Sequence, residues 1–383
     1  MALTEGKLGN YIELIEVRNT DLRYGADRVR GVNTTKQMMQ TRADLSARDL
    51  SKFQIVRPGE FVFNHRTSRN GSKFSIAYND SGNDIICTED YVVFRISEYG
   101  KQFVLAEWLF IYFNRPEFDR YVITNSWGSS TEFYNWEDLC DVDIALPPLS
   151  VQQKYVDVYN SMLANQRNYE RGLEDLRVVL EGYTDNLRHQ CKLEPLREYL
   201  KLVEARNESL QYGIDDVKGV SIEKKFIDTK ADMIGVNLKP YFVVQPNEFA
   251  YVTVTSRNGE KVSLALNDSP NTYICSSSYV VFRSKDVETL LPQYLMLYFS
   301  RAEFNRYARF HSWGSARETF DWDELCAVKI PIPDIKVQQY IVNIYIAYQL
   351  RKEINDQLKA QIRDICPILI KGSLEEGNRI GGE

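Results

Sequence analysis

Thr67-Ser68-Arg69-Asn70-Gly71 returns as Thr255-Ser256-Arg257-Asn258-Gly259, a shift of 188 residues (255 − 67). Ser126-Trp127-Gly128-Ser129 returns as Ser312-Trp313-Gly314-Ser315, a shift of 186 (312 − 126). Working outward, Tyr91-Val92-Val93-Phe94-Arg95 matches Tyr279-Val280-Val281-Phe282-Arg283, and Val151-Gln152-Gln153 matches Val337-Gln338-Gln339. The echo begins near Leu8 and Leu196 and fills most of the chain. Solenoid units repeat every 20–50 residues or so; a copy this long is a whole domain. A chain of two like domains is built to meet two like things.

Composition is that of an ordinary globular protein, 44% hydrophobic and 26% charged over 383 residues. No apolar run approaches the ~20 residues that span a bilayer, and residues 1–7 lack the apolar core of a signal peptide; the expected location is the cytoplasm. Six cysteines without a C-x-x-C, and only His65, His189 and His311, speak against a zinc site or a disulfide framework. Cys87 and Cys275, like Cys140 and Cys326, are repeat equivalents in or beside apolar runs, where a small buried hydrophobe is expected. A net charge of −6 argues against a bulk polyanion binder but leaves room for local basic patches.

Each copy has two textures. Residues 8–148 and 196–334 carry short β-branched and aromatic runs such as Glu60–Phe63, Phe74–Tyr78 and Tyr91–Arg95, which read as strands. The Asn-Gly pairs at 70–71 and 258–259 are hairpin chemistry. One helix per copy is expected at Glu107–Phe113 and Gln293–Phe299, making each globular part α+β. The second texture begins at Val151 and Val337. Tyr155, Met162, Tyr169, Leu176 and Tyr183 recur every seven residues, beside Tyr159, Gln166, Leu173, Leu180 and Leu187. Ile341, Tyr348, Asn355, Ile362 and Leu369 do the same, beside Ile344, Arg351, Leu358 and Ile365. These are heptad seams. Pro367 is expected to end or kink the second helix in its last turns.

The expected organisation is therefore a first α+β domain at 1–150, a spacer helix at 151–190, a second like domain at 191–336, a second spacer helix at 337–371 and a disordered tail at 372–383. Connectivity makes the two helices antiparallel, a coiled-coil-like spacer about 60 Å long at 1.5 Å per residue, with a pseudo-two-fold axis across it.

Enzyme signatures are missing from the sequence: no phosphate loop, no G-x-G-x-x-G, no nucleophile elbow. Candidate nucleic-acid contacts cluster in the repeated segments. A hairpin turn explains Asn70 and Gly71 but needs no arginine. Arg69 and Arg257, with Thr67, Ser68, Thr255 and Ser256 and the flanking Arg66, Lys73 and Lys261, suit phosphate or guanine contact. Trp127 and Trp313 are expected in the core, with Ser129, Thr131, Ser315 and Arg317 lining a loop beside the DNA backbone. In the third region, Gly31–Asp44 against Gly219–Asp232, Lys36 coincides with Lys224 and Arg42 with Lys230, while their neighbours differ. Retained phosphate contacts beside altered base contacts would produce that pattern.

The chain resembles the specificity subunit of type I restriction–modification systems. The resemblance rests on two recognition-like domains alternating with two long helices, on Pro-Pro-Leu-Ser-Val-Gln-Gln-Lys (147–154) and Pro-Asp-Ile-Lys-Val-Gln-Gln-Tyr (333–340) leading into those helices, and on Pro-Gly-Glu-Phe-Val-Phe-Asn (58–64) followed by Arg-Asn-Gly. It implies a non-catalytic reader of an interrupted double-stranded DNA site, without catalytic residues, metal or cofactor of its own. It implies two methyltransferase subunits docked on the helices, bringing S-adenosylmethionine, and restriction subunits bringing ATP and magnesium. Two other readings stay open on the residues alone: a two-domain protein-interaction adaptor, and an enzyme of unrecognised type with paired sites.

Overall fold

The computed structural model describes residues 3–41, 43–68, 71, 73–229, 231–255, 261–315 and 317–381. It divides into two compact units, 1–169 with 354–383, and 170–353. In the first, a four-stranded antiparallel sheet runs in the order Ile12–Ile15, Tyr91–Ile96, Phe61–Asn64, Ile76–Tyr78. In the second, the order is Leu200–Leu202, Tyr279–Ser284, Phe249–Val252, Leu264–Leu266, the same topology strand for strand. Successive side chains of a strand point to opposite faces, and both faces here are covered. Phe61 and Phe63 join Phe74, Ile76 and Phe94 in the main core with the helices, while Val62, Ala77 and Val93 join Val56 and Cys87 in a second cluster. Phe249, Tyr251 and Phe282, against Ala250, Ala265, Val281 and Cys275, repeat the division. The cysteines expected as small core residues at 87, 275 and 326 are buried, and Cys140 is half-buried.

Three short helices cover the first sheet, α1 (Ala106–Phe113), α2 (Pro116–Thr124) and α3 (Trp136–Cys140), before the long α4 (Leu149–Gln190). The second unit repeats them as α5 (Pro292–Ser300), α6 (Ala302–Phe310) and α7 (Trp322–Ala327), followed by α8 (Ile335–Gly381). The α+β reading with two long helices is borne out.

The Gln-Gln pairs have a physical use. Gln152 is fully buried; its Oε1 accepts from Leu105 N at 2.9 Å, and its Nε2 donates to Phe103 O and Pro147 O at 2.6 and 2.7 Å. Gln338 does the same with Leu291 N (3.0 Å), Thr289 O (2.8 Å) and Pro333 O (2.9 Å). Each glutamine thus rivets the first turn of a long helix to the N-terminus of the domain's main helix. Gln152→Leu should lower stability by about 3 kcal/mol, because a buried N–H and two carbonyls lose their partner together. Urea unfolding checks this; an unchanged midpoint would show that the clamp is idle.

Within the first unit the α4–α8 pairing is antiparallel. Lys154 pairs with Glu376 at 2.8 Å, Tyr155 lies against Gly372, and, farther along α4, the buried amides of Gln166 and Asn355 bond at 3.0 Å. Tyr159, Ile362, Cys366, Leu369 and Ile370 are part of that unit's own core. In the second unit Leu180, Leu187, Ile341 and Val342 enter the core, and Gly172 lies against the Arg351 guanidinium.

Two expectations fail. Tyr183 is 53% exposed and Thr184 is buried in its place: a straight helix drifts about 20° per heptad, so the row from Tyr155 is roughly 80° off after four. Helix α8 also runs through Pro367 to Gly381 instead of ending there in a disordered tail. Leu369, Ile370 and Ser373 are buried beyond the proline, and Trp108 Nε1 donates to Ser373 Oγ at 3.1 Å; this packing outweighs the one lost backbone bond. Among the described residues no helix is long and apolar enough to cross a membrane.

Candidate nucleic-acid interface

Sequence segments about sixty residues apart meet at one edge of each domain. In the first, Thr67 N donates to Glu132 O (3.0 Å), Tyr134 N to His65 O (2.8 Å), and Trp127 and Phe133 exchange both backbone bonds at 3.0 Å. In the second, Thr255 N donates to Glu318 O (2.9 Å), Phe320 N to Thr253 O (2.8 Å), and Trp313 and Thr319 exchange bonds at 3.1 and 3.0 Å. The chain leading into the Thr-Ser-Arg-Asn-Gly loop is therefore laid beside the Ser-Trp-Gly-Ser loop twice over. The glycine after each tryptophan is required. Gly128 has φ +152° and Gly314 φ +140°, and a Cβ would overlap the carbonyl oxygen of Thr131 or Arg317.

The tryptophans are not core residues. Trp127 is 71% exposed and Trp313 62%. The backbone bonds hold the residue while the glycine turn leaves the indole outside. They are the functional candidates that residue type alone missed, and their surroundings are polar: Ser129 in one copy, Ser315 and Arg317 in the other, all exposed, with Thr131 half-buried.

A third element joins the same edge. The ribbon of Arg30–Val32 with Met38–Gln40, and its counterpart of Lys218–Val220 with Phe226–Asp228, each turn through a loop whose fourth residue is a lysine in left-handed conformation, Lys36 (φ +62°) and Lys224 (φ +60°). Both lysines point inward. Lys36 Nζ pairs with Asp119 at 2.6 Å and donates to Phe113 O; Asp119 also accepts from Phe74 N at 3.1 Å. Lys224 Nζ donates to Val262 O and Asn305 Oδ1, both at 3.0 Å, and Asn305 also accepts from Val262 N at 3.3 Å. Burial pulls both ammonium groups below the ordinary lysine range, Asp119 opposing it at Lys36; Lys224, beside Lys261, falls to about 8.

The expected contacts thus separate. Lys36, Thr67 and Thr255 are buried and Lys224 half-buried, and all four hold the frame, because their polar atoms are bonded inside. Ser68 and Lys261 are exposed, Arg66 and Lys73 half-buried. Arg66 faces Asp90 at 3.2 Å and Lys261 faces Glu223 at 2.7 Å. Arg42, Arg69, Lys230, Ser256 and Arg257 lie outside the described residues.

Residues 240–364 match the family model described as the type I restriction modification DNA specificity domain. No curated protein sequence matches the chain. Among solved structures, the type I restriction–modification S subunit from M. genitalium is similar, with a TM-score of 0.59 at 10% identity, over 97% of this chain and 95% of that one. The HsdS subunit from Thermoanaerobacter tengcongensis matches over 97% and 96%, at a TM-score of 0.38 and 14% identity. The class is thereby defined: a chain with the fold of a type I specificity subunit. Residues 240–364 are similar to that system's DNA specificity domain, and the resemblance drawn from the sequence is borne out.

Proposed function

We propose that the chain is the non-catalytic subunit that gives a type I restriction–modification complex its DNA sequence specificity. Each domain reads one half of an interrupted duplex site, and α4 and α8 dock two methyltransferase subunits. Those subunits supply S-adenosylmethionine chemistry, and a restriction subunit supplies ATP- and magnesium-dependent chemistry. The observation that carries the reading is that the residues leading into the two Thr-Ser-Arg-Asn-Gly segments, up to Thr67 and Thr255, are bonded alike beside the two Ser-Trp-Gly-Ser loops, and that both segments are identical in sequence in the two domains. Loops repeated without change suit what two half-sites share, the sugar–phosphate backbone.

Binding of the chain with its methyltransferase partners to duplex DNA should weaken steeply as salt rises. Binding that is absent, or indifferent to salt, would favour the adaptor. Arg69→Ala and Arg257→Ala should each weaken binding by roughly 1–3 kcal/mol if bidentate to a base, or flatten the salt dependence if on phosphate.

The helices are proposed to set the unread gap. One heptad inserted into each adds about 10.5 Å at 1.5 Å per residue while keeping the seam. At about 3.4 Å per base pair the gap in the methylated motif should grow by roughly three base pairs. An unaltered gap in an active complex would remove the helices as the ruler.

A further inference from the structure

The ribbons at 30–40 and 218–228 share one frame and differ on what they present. Three features of the frame are common to both. The ring hydroxyl of Tyr91 accepts from Val32 N at 3.4 Å, and that of Tyr279 from Val220 N at 3.2 Å. Gly31 and Gly219 sit against those same hydroxyls, 3.7 and 3.6 Å from the position of a Cβ. Lys36 and Lys224 carry the turn in a conformation that favours glycine or asparagine, and anchor its tip to the base of α2 or α6 through a buried ammonium. A lysine kept at such a position in both copies is kept for its reach into the core.

Against this frame the exposed positions all change. Thr35, Gln37, Met39 and Gln40 in the first domain are Glu223, Lys225, Ile227 and Asp228 in the second, every one of them exposed. The second ribbon's tip faces the arginine-loop flank, where Glu223 meets Lys261. The first ribbon's anchor Asp119 holds Phe74 N on the corresponding flank. Each ribbon is therefore beside a flank of the repeated loops, sharing a frame with its counterpart while its exposed positions differ.

We propose that these two ribbons are the sequence-reading elements. Each enters the major groove of its half-site on a domain oriented by the invariant loops. The inference rests on the DNA-specificity reading above and assigns within it which residues discriminate. A two-stranded ribbon fits the major groove, where each base pair shows a distinct donor–acceptor pattern. Gln37 and Gln40 present amide forks that match the N6 and N7 edge of adenine; Lys225 matches the O6 and N7 edge of guanine. The two half-sites consequently differ, the first favouring adenine and the second guanine at the contacted positions.

The test exchanges the four positions in the full chain, assembled with its methyltransferase partners, and reads the methylated motif across a genome. The first-domain variant is Thr35→Glu, Gln37→Lys, Met39→Ile, Gln40→Asp; the second-domain variant is the reciprocal. The expected result is that one half-site moves toward the sequence of the other, with the gap and the untouched half-site as in wild type. An active variant with both half-sites unaltered overturns the proposal, as does a wild-type motif with two identical halves. Where an exchange abolishes methylation, Gln37→Cys alone decides: disulfide capture by a thiol-tethered base in the major groove of the half-site supports the assignment, and no capture in a complex still bound to DNA overturns it. Wild-type complex that directs no sequence-specific methylation would instead overturn the DNA-specificity reading itself.

Discussion

Lys36→Met is expected to destabilise the first domain by about 3–5 kcal/mol, because it leaves the Asp119 carboxylate largely buried with its cationic partner gone. Lys224→Met should cost far less, about 1 kcal/mol. Its partner Asn305 is neutral and still accepts from Val262 N, and the change also relieves a buried cation of its desolvation. Urea unfolding of the two variants checks the contrast, and Asp119→Asn on the Lys36→Met background should recover part of the loss. Equal losses in the two domains would mean that the ion pair is not what separates them.

Lys224 sets a pH response of its own. Lys224 titrates near 8 in the folded domain and near 10.5 when unfolded. Between those values the unfolded chain holds a proton that the folded domain has shed, so stability from this group rises with pH across the window and is absent below it. Asn305→Asp supplies a counter-charge, lifts the folded value and should flatten the rise. Unfolding at pH 7.5 and 9.5 would show it, and an identical pH response in wild type and variant would take Lys224 out of the account.

Trp127→Ala and Trp313→Ala are expected to weaken DNA binding by roughly 2–3 kcal/mol each. Covering about 100 Å² of indole at about 25 cal/mol per Å² supplies that amount, close to a hundredfold in affinity. The loss should be the same for every target sequence, because the tryptophan is common to both domains. The salt slope should stay put, because no charge is removed. Thermal stability should also hold: the side chains are mostly exposed and their backbone bonds survive the change. A salt-titrated binding isotherm measures all of this, and wild-type affinity in both variants would return the indoles to the solvent.

Period was the legible property of this sequence. The short apolar run Glu60–Phe63 was legible as a strand and the seven-residue rows as α4 and α8, because burial follows backbone geometry; that the strand is covered on both faces came only with the structure. What period does not encode was misread. A tryptophan carries no mark of whether its turn faces in or out; the following glycine at positive φ decided that. A lysine reads as solvent-exposed by charge, and only its place in a turn that wants glycine points inward. That Lys36 and Lys224 persist while their neighbours change was visible in the repeat, and it signalled anchoring where phosphate contact was expected. Pro367 was overruled by contacts from residues more than two hundred positions earlier, such as Trp108, which no local reading contains.

Those contacts also order events in time. The first unit is discontinuous in the chain: Ile362, Cys366, Leu369 and Ile370 complete a core otherwise built before residue 170. During synthesis at about 5–20 residues per second, the amino-terminal half therefore waits roughly ten to forty seconds, while 170–353 is made, for the helix that closes it. Through that interval the apolar surface that Ile362, Cys366, Leu369 and Ile370 later cover stands open, the condition under which a nascent chain is prone to misassociate. A chain truncated at residue 353 would carry all of the second unit attached to a first one that lacks the end of α8.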